Sequence, residues 1–309
     1  MTAVPVPHEI AGRRRTTDRS RGENRLAWKL VAPAVVVMLV VTAYPMFEAL
    51  YLSLFRYRLT TPGDKGFVGL SNYGVVLTDS LWWKDVGNTL FIMVVTVAVE
   101  LVIGFAFAMV MHRVIFGRGV IRTSILIPYG IITVVSAFSW QFAFSLNNGF
   151  VNEWFQWLPF VNHDTNWFGS HWPAMYAICV SEIWKTTPFM SLLLLAGLSQ
   201  ISEDMLEAAK VDGATERQIF FRVVLPVMAP INVVIIVITA IESLRAFDIA
   251  YIINRGKNGL ELLSTLITNN SISEASLVGF GSAIAVVLLV ISLVPIIIFL
   301  SRVNQEATS

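Results

Sequence analysis

Long apolar stretches dominate this sequence and restrict what it can fold into. The hydrocarbon core of a bilayer is about 30 Å thick, so a helix needs about 20 mostly apolar residues to cross it. Six such stretches cover approximately residues 28–55, 87–112, 120–145, 172–199, 226–251 and 278–301. Apolar side chains make up 55% of the 309 residues and charged ones only 14%, which is too little polar surface for a water-soluble domain. We therefore predict an all-α polytopic membrane protein with six transmembrane helices.

The distribution of lysine and arginine predicts the orientation of these helices. Residues 1–26 form a polar, arginine-rich tail that is too long and too charged for an ordinary signal peptide, so we expect an uncleaved first helix. Basic residues also concentrate after the second and fourth apolar stretches, and positively charged short loops stay in the cytoplasm. We therefore expect both termini, including residues 304–309, in the cytoplasm, with the tail against lipid headgroups rather than on nucleic acid.

A charged segment, residues 202–230, separates the fourth and fifth apolar stretches and carries signals for two helices. Ser202 is a candidate N-cap, and the two acidic residues after it lie where the helix dipole favours negative charge. Gly213 is expected to end this first helix. Thr215 and Gln218 have the spacing of a capping box and predict the start of a second helix. The segment therefore predicts a helix, a glycine turn and another helix on the cytoplasmic side.

This short pair of helices needs a surface to pack against. A helix of about three turns is marginal in water by itself. An amphipathic helix lying on the bilayer would carry bulky apolar residues and a lysine- and arginine-rich opposite face, whereas acids dominate here. Ala208 and Ala209 permit the close approach of another surface. The segment is therefore predicted to dock on a cytoplasmic protein.

The same segment contains a motif. The pattern E-A-A-x-x-D-G-A, followed by L-P, is formed by Glu207, Ala208, Ala209, Asp212, Gly213, Ala214, Leu225 and Pro226. This pattern resembles the cytoplasmic coupling loop of ATP-binding-cassette importer permeases. Residues 184–201 and 247–259 are similar to the flanking segments of the carbohydrate-uptake branch, the maltose and glycerol-phosphate type. One departure is Gly-Lys-Asn at 256–258, where the family often has G-G-P, so we expect a differently shaped outer loop there.

The resemblance implies a type I importer permease fold for a membrane domain over residues 27–303, with a coupling loop at 200–225. It implies a second, similar permease as heterodimer partner, two ATPase subunits beneath the bacterial inner membrane and an extracytoplasmic sugar-binding protein. It further implies a disaccharide as the solute, with trehalose favoured. The motif from Glu207 to Ala214 is implied to form a coupling helix in a groove of one ATPase. ATP and Mg²⁺ are then expected in the ATPase subunits, with no cofactor or metal in this chain.

The sequence offers no motif for chemistry of its own. It lacks the phosphate-binding pattern G-x-x-x-x-G-K-[ST], so it is expected to depend on partner subunits for ATP hydrolysis. Neither H-E-x-x-H nor G-x-S-x-G occurs, and the four histidines are scattered without ligand spacing. We therefore predict a transport subunit rather than an enzyme.

Polar residues within the apolar stretches are candidates for a translocation path, because ionisable groups are costly inside a bilayer. Carboxylates, amides and aromatic rings suit sugar hydroxyls and ring faces. The candidates are Trp140, Gln141, Asn147, Asn148, Glu182, Lys185, Thr239, Glu242, Arg245 and Asp248, with Glu100 as a further ionisable residue. Several of the charged ones lie three residues apart on one helix, so local neutralisation in ion pairs is an equally weighted alternative.

Other interpretations of the whole chain stay open. The solute of an ATP-driven importer could instead be glycerol phosphate or another small molecule, although an anion would call for more than two basic residues in the spans. A secondary transporter driven by an ion gradient would use the membrane carboxylates as relays, but it gives no role to the docking segment. An intramembrane enzyme would need a nucleophile, base or metal arrangement that the sequence lacks.

Overall fold

The computed structural model describes residues 18–114, 116–159, 161–254, 260–272 and 276–308. The chain divides into two compact units, Met1–Ala49 and Leu50–Ser309. In the first unit, helix α1 (Asp18–Met38) continues through a π-helical turn (Leu39–Ala43) into α2 (Tyr44–Leu52), which reaches the second unit. Helix α1 begins within the predicted polar tail, and α2 ends before the predicted boundary at residue 55. The predicted departure at residues 256–258 lies outside the described residues.

The second unit is almost entirely helical. Its two short strands, β1 (Phe55–Arg56) and β2 (Gly66–Phe67), pair antiparallel with Phe55 opposite Phe67. A second π-helical turn covers Phe220–Val224. The helices are α3 (Ser71–Thr78), α4 (Ser80–Arg113), α5 (Arg118–Gly130), α6 (Thr133–Ala143), α7 (Val151–Trp154), α8 (His171–Leu198), α9 (Glu203–Val211), α10 (Glu216–Ile219), α11 (Leu225–Val227), α12 (Ala229–Leu244), α13 (Asp248–Asn254), α14 (Leu263–Ser271) and α15 (Val278–Thr308).

Six candidate membrane spans lie where the apolar stretches predict them. Within the described parts of the chain, four helices are long and apolar enough to cross a bilayer, namely Arg25–Leu52, Ser80–Arg113, His171–Leu198 and Val278–Ile297. Two helix pairs are apolar and long enough only when taken together, Arg118–Gly130 with Thr133–Ala143, bent by 87°, and Glu216–Val227 with Ala229–Asn254, bent by 72°; counting each pair as one span gives six. The third and fifth predicted spans are thus each divided between two helices in the structure.

The third span breaks between α5 and α6. Ile131 and Ile132 have extended ψ angles of 138° and 131°, a conformation that β-branched residues adopt readily. Pro128 lacks an N–H group and so weakens the helical turn just before the break. In the fifth span, Pro230 lies in the first turn of α12, where a proline is tolerated and a new helix can begin. These local features account for two spans that change direction.

The core of the second unit is the contact between α4 and α8. Met190 and Leu194 of α8 are fully buried there. A Cβ atom on Gly104 of α4 would lie 3.2 Å from Leu194 Cδ1 and 3.5 Å from the backbone nitrogen of Ser191. The glycine therefore permits the two helices to approach closely, as small residues do in membrane bundles.

Candidate functional site

A cavity of about 590 Å³ lies where the broken third span meets α8 and the junction of α12 with α13. Its lining residues are Tyr129, Ile131, Ile132, Thr133, Glu182, Lys185, Thr186, Glu242, Arg245, Ala246, Phe247, Asp248 and Ile249. A neighbouring cavity of about 140 Å³ shares four of these residues and adds Glu100, Phe189, Thr239 and Ser243. The structure therefore brings together six of the predicted path residues, Glu182, Lys185, Thr239, Glu242, Arg245 and Asp248.

Lys185 caps the end of α5. Its Nζ donates hydrogen bonds to the carbonyl oxygens of Pro128, at 3.2 Å, Tyr129, at 2.8 Å, and Ile131. The last carbonyls of a helix have no N–H partner within it, and a cation is favoured at the negative end of the helix dipole. The buried ammonium group of Lys185 therefore satisfies backbone groups at the break and forms no ion pair with Glu182.

The carboxylates around the cavity are not neutralised in local ion pairs. Glu182 is 7% exposed, and its carboxylate has no hydrogen bond or ion pair to any residue that the structure describes. Neither Glu242 nor Asp248 forms an ion pair with Arg245. Glu100 is buried on α4 and accepts a hydrogen bond from Thr186 Oγ1. The alternative of neutralisation between residues three apart is therefore wrong, although the spacing does place these groups on the same side of each helix.

Four predicted path residues lie outside both cavities. Gln141 Nε2 donates to the carbonyl oxygen of Ile252 at 2.6 Å and so fastens α6 to α13. The ring of Trp140 stacks on Phe144 and meets the edge of Trp184. The two asparagines, Asn147 and Asn148, are exposed in the turn after α6. The positions of all four residues near the outer end of the third span suggested that they line the path. None of them lines either cavity.

Two aromatic residues of the cavity wall were missed from the sequence. Tyr129 stacks on Phe189 with ring centroids 5.2 Å apart, and Phe247 stacks on Tyr251 at 5.0 Å. Each lies beside an irregular stretch of backbone, the break before α6 or the junction between α12 and α13. Aromatic residues are common throughout the spans, so nothing in the sequence distinguished these two.

The charged segment forms the predicted helix, turn and helix. Helix α9 ends before Gly213, whose φ of 78° is in the left-handed region. The capping box at the start of α10 is confirmed, because the Thr215 amide donates to Gln218 Oε1 at 2.8 Å and the Gln218 amide donates to Thr215 Oγ1 at 3.4 Å. Ser202 occupies the N-cap position of α9, but its side chain makes no capping hydrogen bond, so that part of the prediction was wrong.

The residues of the E-A-A motif divide between two sides of α9. Ala209 and Ala214 are half-buried against the core, and Glu207 lines a groove of about 420 Å³ between α9 and the end of α4. Ala208 and Asp212 are exposed. Together with Met205 and Val211, which are 42% and 87% exposed, Ala208 forms a small exposed stripe at helical spacing.

Contacts behind α9 connect it to the membrane helices. Arg113, at the end of α4, forms an ion pair with Glu216 of α10. The rings of Phe105 and Phe220 meet edge to face with centroids 5.6 Å apart. Ile219 is buried in the same apolar cluster. The segment is therefore packed against α4 on one side while the stripe on α9 remains exposed.

Comparisons with known proteins agree with this architecture. The family described as "Binding-protein-dependent transport system inner membrane component" matches residues 100–306. The trehalose transport system permease protein SugA of Mycobacterium tuberculosis is 42% identical over 288 residues, covering 93% of this chain and 91% of that protein. The trehalose/maltose transport system permease protein MalF of Thermococcus litoralis is 34% identical over 90% of this chain and 93% of its own length.

A solved structure shares the fold. It is the crystal structure of a bacterial ABC transporter involved in the import of the acidic polysaccharide alginate, with a TM-score of 0.77 and 19% sequence identity. The match covers 94% of this chain and 99% of that one. The predicted type I permease fold and the family inferred from the E-A-A motif are thus confirmed. The chain belongs to the family of inner membrane components of binding-protein-dependent transport systems.

Proposed function

We propose that this chain is one permease subunit of an ATP-driven importer for a disaccharide, with trehalose as the first candidate. The names of the relatives at 42% and 34% identity support trehalose. The importer is completed by a second permease, two ATPase subunits that bind ATP and Mg²⁺, and an extracytoplasmic sugar-binding protein. Both termini and the coupling segment at 200–225 lie in the cytoplasm.

The cavity at the broken third span is the observation that carries this proposal. Its volume of about 590 Å³ is within the range of roughly 300–1,000 Å³ that small-molecule sites occupy. A buried polar group without a partner is costly, so the unpaired Glu182 carboxylate favours a solute that donates hydrogen bonds. The aromatic faces of Tyr129 and Phe247 suit the apolar faces of sugar rings. A polyhydroxylated solute satisfies both features.

Coupling to ATP hydrolysis runs through the 200–225 segment. The exposed stripe of Met205, Ala208 and Val211 offers a small, shallow surface to a groove on an ATPase. The chain continues from α10 through the π-helical turn and α11 into α12, whose far end carries Glu242 at the cavity. A displacement of α9 and α10 therefore reaches the cavity wall through the bend between α11 and α12 and then along α12.

The structure also argues against an anionic solute. Glu182, Glu242 and Asp248 line the cavity, while the charge of Lys185 is directed at backbone carbonyls. Arg245 is then the single basic group left at the cavity among the residues that the structure describes there. Glycerol phosphate is accordingly less suited to this cavity than a neutral sugar.

The test is uptake by the complete importer reconstituted in liposomes. ATP-dependent accumulation of radiolabelled trehalose, requiring the binding protein, is the expected result, with weaker or absent uptake of glycerol 3-phosphate. Uptake driven by a proton or sodium gradient without ATP would show a secondary transporter instead. ATP hydrolysis stimulated by glycerol 3-phosphate but by no disaccharide would refute the proposed solute.

A further inference from the structure

A separate cavity of about 290 Å³ lies where the start of α4 meets α3, α14 and α15. It shares no lining residue with the two cavities at the broken third span. Its lining residues are Val76, Asp79, Leu81, Trp82, Lys84, Asp85, Glu261, Leu266, Asn270, Phe280 and Ile284. Three carboxyl groups and a single ammonium group thus line this cavity, so the local charge favours a cation as its occupant.

The carboxylate of Asp85 is buried in this cavity without a partner. Asp85 is 4% exposed, and its side chain has no hydrogen bond or ion pair to any residue that the structure describes. Asp79 differs, because its Oδ1 accepts a hydrogen bond from the Leu81 amide at 2.9 Å and so caps α4. A buried carboxylate without a partner is costly, and a cation that donates hydrogen bonds removes that cost.

Two further acceptors belong to the same cavity. The Glu261 carboxylate accepts a hydrogen bond from Asn269 at Oε1, which leaves Oε2 as an acceptor. Asn270 Nδ2 donates to the carbonyl oxygen of Leu266 at 2.9 Å, which leaves the Asn270 Oδ1 as another acceptor. Together with Asp85, these residues provide three acceptors. A primary ammonium group has three N–H donors, so it matches the set.

The mouth of the cavity lies at a membrane boundary. Leu81 and Lys84 are the exposed residues among those that line it. Trp83, beside them, is 57% exposed, and its Nε1 donates to the carbonyl oxygen of Leu77 at 3.0 Å. An exposed tryptophan and a lysine at the end of a span are typical of the level of the lipid headgroups. Lys84 forms no ion pair with a described residue, and basic residues at this level bind lipid phosphates.

An organic cation fits the cavity better than a metal ion does. Among the residues that the structure describes, no three His, Cys, Asp or Glu side chains are grouped so as to hold a metal. The ammonium group of Lys84 would repel a metal ion at the mouth. The rings of Trp82 and Phe280 also line the cavity, and aromatic rings attract organic ammonium groups.

We propose that this cavity binds the headgroup of a phosphatidylethanolamine molecule, with Asp85, Glu261 and Asn270 accepting hydrogen bonds from its ammonium group and Lys84 pairing with its phosphate. The site involves no transported solute and so goes beyond the proposed function. The trimethylammonium group of phosphatidylcholine has no N–H to donate, so the site should discriminate between the two lipids. A bound headgroup would connect the start of α4 to α14 and α15.

Native mass spectrometry of the complete importer tests this site. The importer is released from nanodiscs that contain equal amounts of phosphatidylethanolamine and phosphatidylcholine with the same acyl chains. We expect the retained lipid to be enriched in phosphatidylethanolamine roughly fivefold, because hydrogen bonds to charged groups are lost with choline. Asp85→Asn should reduce this enrichment to below about twofold. Asp64→Asn, the same change at an exposed residue that lies outside the cavity, should leave the enrichment unchanged.

Lys84 is expected to act differently from Asp85. Both lipids carry a phosphate, so Lys84→Gln should lower the retention of both by roughly two- to fivefold without changing their ratio. This substitution is on the exposed surface, so it still tests the site if Asp85→Asn fails to assemble. Undiminished retention of both lipids in Lys84→Gln would overturn the pairing with phosphate.

The remaining outcomes identify the occupant. Equal retention of the two lipids by the unmodified importer, or equal enrichment in Asp85→Asn, would overturn the proposal. Displacement of the lipid by soluble O-phosphoethanolamine would support recognition through the headgroup. Retention of O-phosphoethanolamine without either lipid would overturn the lipid as its source. Displacement by calcium chloride but not by O-phosphoethanolamine would show a metal site instead.

Discussion

The sharpest prediction concerns Gly213, at the turn between α9 and α10. Its φ of 78° lies in the left-handed region, and no atom lies within 4 Å of the position that a Cβ would take. A side chain at this position therefore has room, and any cost of substitution comes from the backbone. For an ordinary L-residue the left-handed conformation costs about 1–2 kcal/mol, and a β-branched residue is at the upper end.

The size of the effect follows from that cost. Since every 1.4 kcal/mol is a factor of ten, Gly213→Val should lower the equilibrium constant for the observed arrangement of α9 and α10 roughly 10- to 30-fold. Asparagine tolerates the left-handed conformation, so Gly213→Asn should reduce it only about two- to threefold. We expect ATP-driven uptake to fall by up to these factors and to fall further in Gly213→Val than in Gly213→Asn, while capture of the solute by the binding protein is unaffected.

A matched control is available in the same chain. Gly117, before α5, also has a positive φ, 68°, and open space around a Cβ, but it lies outside the coupling segment. Gly117→Val should lower thermal stability about as much as Gly213→Val without reducing the number of solutes imported per ATP hydrolysed. Wild-type uptake in Gly213→Val, or equal uncoupling in both variants, would refute the reasoning.

Three further predictions concern other parts of the chain. Glu207→Lys should abolish uptake in the liposome assay yet leave solute capture intact, and undiminished uptake would contradict the coupling role of the motif. Gly104→Val should drive a methyl group into Leu194 and lower the midpoint of thermal unfolding by roughly 2–8 °C, and Gly104→Ala should lower it less. A midpoint in Gly104→Val equal to that of the wild type would contradict the close contact of α4 and α8. Burial raises the pKa of Glu261 above its ordinary value of 4.5, with a hydrogen bond from Asn269 opposing the rise. The folded state then binds this proton more tightly than the unfolded state, so the free energy of unfolding should fall as pH rises from about 4.5 through the folded pKa. Glu261→Gln should flatten that part of a profile of melting temperature against pH. An unchanged slope in the Glu261→Gln variant would refute the assignment of this pH dependence to Glu261.

Apolar length and local capping signals were enough to predict much of the fold. The positions of the six spans followed from runs of about 20 apolar residues, and the capping box at Thr215 followed from its spacing to Gln218. Both features depend on short stretches of sequence, so a linear reading captures them. The same holds for Gly213, which was expected to end the first helix and has a positive φ in the structure.

The break in the third span could not be predicted in this way. A continuous helix and a broken one have the same hydropathy, and the residues from Ile125 to Val135 are nearly all apolar. The partner that stabilises the break, Lys185, lies more than 50 residues away along the chain. Its spacing to Glu182 suggested a local ion pair, but the uncapped carbonyls of α5 were a competing partner that only the tertiary structure reveals. The lining role of Tyr129 follows from the same break.

The hydrogen bonds from Gln141 to the carbonyl oxygens of Ile252 and Ile253 have a consequence for movement. They join the second half of the third span to the last turns of the fifth, and the fully buried Ala137 adds apolar packing between the same two helices. The hydrogen bonds and this packing therefore favour movement of α6 and α13 as one unit. A change of angle within the third span is then taken up at the break between α5 and α6, which lines the cavity.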